Sequence, residues 1–141
     1  MADDEQQNVR LVRGGLENWI AGDHEAVIAT FTDDVKVVVP PEVGNAGSYT
    51  GIEGFRRWFA QWDEAWSAFR MELKDIEPAG DRHVIAMVHS HGTGVGSGIE
   101  VGNVLAWVIG VRGDRMDFIS LQPDRERASE LVREREGSEG S

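Results

Sequence analysis

His83 to Pro123 reads HVIAMVHSHGTGVGSGIEVGNVLAWVIGVRGDRMDFISLQP, and this stretch decides the fold. Two long strands, 83–93 and 99–112, flank the glycine run from Gly92 to Gly98, and a third, 114–123, follows the turn at Gly113-Asp114. Links of hairpin length make neighbouring strands antiparallel. Upstream, Arg70–Glu77 predicts another strand, stopped by Pro78-Ala79-Gly80-Asp81.

Helices dominate before that point. Val9, Val12, Leu16, Trp19 and Ile20 fall on one helical stripe, with Arg10, Arg13 and Glu17 outside it. Gly22 ends this helix and Asp23 is placed to cap a second, which buries Ala26, Val27 and Phe31. A short strand, Val35–Val39, stops at Pro40-Pro41, and a polar loop runs from Glu42 to Tyr49. Thr50-Gly51-Ile52-Glu53 reads as a capping box opening a third helix. Its stripe of Ile52, Phe55, Phe59, Trp62, Trp66 and Phe69 is unusually aromatic. Such a stripe packs a core or lines a ligand pocket. Asp124 caps a last short helix through Val132. The order predicts an α+β fold in which N-terminal helices pack against a curved, mainly antiparallel sheet to form a cone. Residues 1–7 and 133–141 read as flexible ends around one domain, 8–132.

Composition narrows the function. The chain has 141 residues, no Cys, and 14 Lys plus Arg against 25 Asp plus Glu, a formal charge of −11. Nucleic acid and anionic membrane surfaces would repel such a chain. Without cysteine there is no disulfide, thiolate nucleophile or Cys-ligated zinc. Nearly half of the negative charge lies in residues 1–7 and 124–141, so it speaks mainly to solubility. No apolar run approaches the roughly 18 residues of a membrane span, and the polar start is unlike a signal peptide. A cytoplasmic location is the expectation.

Chemistry-bearing residues are few. The glycine run joins strand to strand and lacks the Gly-Lys-Ser/Thr that cradles phosphate, so it reads as a hairpin tip. His83, His89 and His91 share a parity on one strand and point to one side. Of these, His89 and His91 are the candidates for proton transfer, supported by Asp117 or Glu100. If the hairpin pairs symmetrically about Val95, His89 faces Val101, His91 faces Ile99, Met87 faces Asn103, and Glu100 points to the other side. No metal site and no cofactor is expected. Asp117 interrupts an apolar strand and either faces outward or pairs with Arg70 or Arg115.

Gly22-Asp23, Phe31-Thr32-Asp33-Asp34-Val35, Tyr49-Thr50-Gly51-Ile52-Glu53-Gly54-Phe55 and Gly96-Ser97-Gly98-Ile99-Glu100-Val101 together resemble the SnoaL-like proteins. These belong to the nuclear transport factor 2-like superfamily, with ketosteroid isomerase, polyketide cyclases and limonene epoxide hydrolase. The resemblance runs from about Val9 to Leu131. It implies a bacterial-type cone closed by a curved sheet, commonly a homodimer packed through that sheet. The isomerases' carboxylate base aligns with Val39, their tyrosine with Gly15 and their protonated acid with Trp107. The cyclases' His and Asp align near Trp107 and Leu121, and the hydrolases' acid near Leu121. None of these residues can do that acid–base work, and a slip of one position brings in only Gln122 or Ser120.

The expected cavity is therefore apolar. Trp19, Phe31, Phe59, Trp62, Leu105, Trp107, Ile109, Ile119 and Leu121 are its candidate walls, with Asn103, Gln122, His89 and His91 as polar candidates. Three readings stay open. The first is a domain binding a small, largely apolar molecule. The second is a cyclase-, isomerase- or hydrolase-like enzyme with a His-based site. The third is a dimerisation or interaction module whose cone is filled by Trp62 and Trp107.

Overall fold

The computed structural model describes the backbone of residues 2–41, 47–94 and 100–139. The loop segment 42–46 and the hairpin tip 95–99 lie outside the described residues. Within them, four helices pack on a curved mixed sheet of six strands that does not close into a barrel.

Local chemistry sets the entry to the sheet. Helix α1 (Ala2–Ile20) buries Val12, Leu16 and Trp19, as the stripe predicts. It ends where Gly22 turns at φ 85°, a conformation that glycine reaches without a Cβ penalty. The Asp23 carboxylate then accepts the Ala26 N–H at 3.2 Å and opens α2 (His24–Ile28). Strand β1 (Phe31–Val39) begins with Phe31 itself, which belongs to the strand and not to the helix before it.

The sheet order is β2-β1-β6-β5-β4-β3. Strand β2 (Gly47–Thr50) pairs antiparallel with β1, so 47–49, predicted as loop, and Thr50, predicted to cap the third helix, are strand. The free edge of β1 along Lys36–Val39, with its β-branched Val37–Val39, supplies the ladder that recruits it. Helix α3 (Gly51–Ala65) stops short of the predicted stripe, and β3 (Trp66–Ala79) starts at Trp66. Trp66 and Phe69 thus belong to a strand. The ladder to β4 (His83–Gly94), with Trp66 opposite Gly94, overrides the helical spacing there. Strands β5 (Glu100–Arg112) and β6 (Arg115–Gln122) follow as antiparallel neighbours. β1 joins β6 in parallel, which makes the sheet mixed.

Alternation along β4–β6 divides the side chains between two faces. Val84, Ala86, Val88, Leu105, Trp107, Ile109, Ile119 and Leu121 face the cone, under α1 and α3. Ile85, Ala106, Val108 and Phe118 face outward, against Ala128 and Val132 of α4 (Arg125–Glu139). Asp124 caps α4 as predicted, its carboxylate accepting the Arg127 N–H at 2.8 Å. The helix continues well past Val132, because Glu136 finds partners on the turn between β3 and β4. Helix α1 likewise starts at Ala2, inside the segment 1–7.

Candidate functional site

The cone interior is organised around Trp19. Its ring meets Trp107 at 5.1 Å, Phe55 at 5.4 Å, Trp58 at 5.8 Å and Phe59 at 6.1 Å between centroids, the first three edge-on. Phe31 stands edge-on to Phe55 at 4.8 Å. Edge-to-face pairing suits the ring quadrupoles and locks α1, α3 and β5 together. The structure thus brings together Trp19, Phe31, Phe59, Leu105, Trp107, Ile109, Ile119 and Leu121 of the expected wall. The side chains of Trp62 and Asn103 lie outside the described residues. Trp58 is a wall residue that the sequence reading passes over. It is 1% exposed and sits three residues after Phe55, so helical spacing carried the signal.

The positions matched to acid–base residues in related enzymes all sit in this interior. Val39, Trp107 and Leu121 are at most 2% exposed. Gly15 is buried too, and a Cβ there would meet the Met116 methyl at 2.7 Å. Between α1 and the sheet, Gly15, Leu16, Trp19, Val27, Phe31, Ile109, Met116 and Ile119 enclose a void of ≈ 10 Å³. That is at the lower limit for one water molecule, and its lining is apolar.

Buried polar atoms interrupt this apolar interior, the indole Nε1 of Trp58 and of Trp107 and the Ser90 Oγ among them. The Trp107 indole Nε1 and the Ser90 Oγ are fully buried and have no hydrogen-bond partner among the described residues. Ser90 shares the inward parity of Val84, Ala86 and Val88, while Trp107 stands opposite Ala86.

His89 and His91 lie on the other face. The β4–β5 register sets His89 opposite Val104, His91 opposite Gly102 and Met87 opposite Ala106, three residues away from a pairing centred on Val95. Glu100 stands opposite Thr93 in the backbone ladder, and its side chain lies outside the described residues. The two imidazoles pack together at 3.9 Å between centroids, and Glu72 of β3 is opposite His89. Lys74 holds the Glu72 carboxyl below its usual range, first through a hydrogen bond and then through its charge. Among the described residues no three His, Asp or Glu side chains gather as a metal site. Gln122 and Ser120 also face away from the cone, where Gln122 donates to Ser120 Oγ at 2.9 Å and Ser120 to the Val38 carbonyl at 2.7 Å.

Asp117 is the extra residue of a β-bulge, since Gly110 pairs with Phe118 and Val111 with Met116. That explains an acid in an apolar strand. Its Oδ2 accepts from Arg82 Nη1 at 3.4 Å, so its partner is neither Arg70 nor Arg115.

Four helices on a curved mixed sheet with an aromatic interior have the nuclear transport factor 2-like fold. Residues 12–118 match the SnoaL-like domain family, and the chain belongs to that family. No curated protein matches the chain by sequence. Among solved structures it is similar to TerC co-crystallised with polyporic acid, at 17% identity and a TM-score of 0.73 over 89% of this chain and 98% of that one. It is similar to a putative polyketide cyclase from Xanthomonas campestris pv. campestris, at 17% identity and 0.70 over 92% and 98%. A protein of ketosteroid isomerase-like fold from Catenulispora acidiphila, in complex with trimethylamine, matches at 20% identity and 0.67 over 79% and 82%. Among the described residues no helix is long and apolar enough to cross a membrane.

Proposed function

We propose that the domain binds a small, largely apolar molecule in the cone and orients it by a hydrogen-bond acceptor turned toward the sheet. The observation that carries this reading is the pair of buried, unpartnered polar atoms, Trp107 Nε1 and Ser90 Oγ. An indole N–H can only donate, and leaving a buried donor unmet costs about 1–3 kcal/mol. An acceptor on a bound molecule removes that cost. Val39, Gly15 and Leu121 at the matched positions favour binding over proton transfer, because none of them can hold or move a proton. Two structures of this fold hold small molecules, TerC with polyporic acid and the Catenulispora acidiphila protein with trimethylamine, which supports a ligand-binding reading. A His89 or His91 base would have to act through the thickness of the sheet on anything held in the cone.

The small internal void favours a second reading, an interaction module whose interior is filled by its own rings. Part of the sheet face used for dimers in the resemblance is occupied by α4, while Val104, 47% exposed, lies on a part left open. Native mass spectrometry of the purified protein separates the readings and counts subunits in the same spectrum. The binding reading expects a retained mass that dissociates on unfolding. Trp107→Phe should lower its retention by about threefold to tenfold, the worth of one hydrogen bond. A protein that retains nothing, and whose tryptophan emission is unmoved by a panel of apolar probes carrying carbonyl groups, is the interaction module instead.

A further inference from the structure

On the outer face of the sheet, where α4 crosses it, His83 is held by both of its ring nitrogens. Its side chain is fully buried. Nδ1 lies 2.6 Å from Glu136 Oε2, and Arg135 Nε donates to Nε2 at 2.9 Å. A guanidinium has no acceptor, so Nε2 must accept, and the ring carries its single proton on Nδ1, given to Glu136. The same carboxylate accepts the backbone N–H of Asp81 at 2.7 Å and of Arg82 at 3.1 Å. A second proton on Nε2 would set donor against donor and cation against cation across that 2.9 Å contact.

We propose that His83 is an acid-sensitive latch: neutral, it fastens α4 to the sheet, and on taking a second proton it lets the C-terminal part of that helix go. The charged groups facing it are Glu136 and Arg135 from α4, Arg82 from the turn before β4, and Asp117 from β6, which pairs with Arg82. β5 places Gly110 opposite His83, where a Cβ would meet Asp117 Oδ1 and Phe118, and Arg112, paired with Asp34, is near enough to feel the charges of Asp117 and Arg82. Two guanidiniums and two carboxylates balance around a neutral ring, and a charged ring leaves the buried cluster with an excess cation.

The direction of titration agrees. Burial first, then the charges of Arg135 and Arg82, push the imidazole below its usual range against the pull of Glu136. Burial pushes Glu136 up, but the Asp81 N–H, His83 and the Arg82 N–H outweigh it and hold the carboxyl low, so Glu136 stays anionic where His83 titrates. With α4 undocked, His83 regains the ordinary value of about 6.5 and binds protons that the docked state refuses. Docking is therefore at full strength above about pH 7 and is lost as pH falls from about 6.5 toward the depressed docked value. Release uncovers Ile85, Ala106, Val108 and Phe118.

Hydrogen–deuterium exchange of the intact chain, corrected for intrinsic exchange, reads the latch directly. Protection of residues 125–136 should fall by up to about tenfold per pH unit below about 6.5, while β5 stays protected. His83→Gln keeps both roles, since its amide donates to Glu136 and its carbonyl accepts from Arg135, and it does not titrate. Its α4 protection should be flat over the same range, although His24, His89 and His91 are still present. A parallel loss in both proteins overturns the proposal, as does an unchanged wild type down to about pH 5. Should His83→Gln not fold, Arg135→Gln removes the cation facing Nε2, and the opening must move to lower pH. An unshifted midpoint in that variant overturns it equally.

Discussion

Replacing Trp19 with alanine lowers the stability of the fold by about 3–5 kcal/mol, the range for deleting a large buried ring. Alanine favours helix over tryptophan by only about 0.5 kcal/mol, so propensity offsets little of the loss. The position argues for the upper half of the range. The rings around Trp19 come from α3 (Phe55, Trp58 and Phe59) and from β5 (Trp107), two elements anchored by separate contacts. They cannot close on the hole together. Ile20, the next residue, is 41% exposed, and Ile20→Ala should cost less than about 1 kcal/mol. Urea unfolding of the two variants, with unchanged m-values, checks the contrast. A Trp19→Ala variant within 1 kcal/mol of Ile20→Ala would mean that α1 is not held by this ring cluster.

Much of that architecture is legible from local pattern. The apolar stripe of α1, the Gly22-Asp23 break and the alternation of Val84, Ala86 and Val88 each arise within a few residues, where side-chain period and backbone conformation are directly coupled. Errors arise where a distant partner decides. Trp66 and Phe69 keep helical spacing, yet β4 offers a ladder from Gly94 downward and the backbone takes it. Gly47–Thr50 becomes strand only because β1 leaves an edge open beside it. α4 outlasts its predicted end because the β3–β4 turn, more than fifty residues away in sequence, presents N–H groups to Glu136.

For the site, composition and position were readable and facing was not. The walls supplied by Trp19, Trp107 and Leu121 follow from periodicity, the sequence predicts Phe31 buried but on α2 instead of β1, and all four are buried in one cluster. The face taken by His89 and His91 depends on which strand parity meets the helices. Odd positions of β4 meet α4 at Ile85, and even positions meet α1 and α3, an assignment no window within β4 contains. Asp117 illustrates the same limit. A bulge of one residue sends it toward Arg82, and a bulge is visible only once the register between β5 and β6 is known.

Gly80→Ala tests the turn that receives α4, and its cost should collapse when Glu136 is absent. Gly80 sits at φ 66°, where a Cβ adds about 1–2 kcal/mol of backbone strain. A Cβ there would also overlap the Glu136 carboxylate, which is bound on both oxygens and has nowhere to retreat. Expelling it strands the buried Nδ1–H of His83 and the half-buried Arg82 N–H, while water can still reach the exposed Asp81 N–H. Each stranded donor adds about 1–3 kcal/mol, so with the strain the single variant should lose at least about 3 kcal/mol. Glu136→Ala forfeits the same bonds by itself. In that background Gly80→Ala has only the backbone strain left to impose, about 1–2 kcal/mol, and the two changes should couple by at least about 2 kcal/mol. The measurement is a double-mutant cycle from urea melts near pH 7.5, where His83 is neutral and α4 is docked. Additive losses would show that the glycine serves the turn alone. Coupling of the expected sign ties the left-handed residue between two strands to a carboxylate in the last turns of α4.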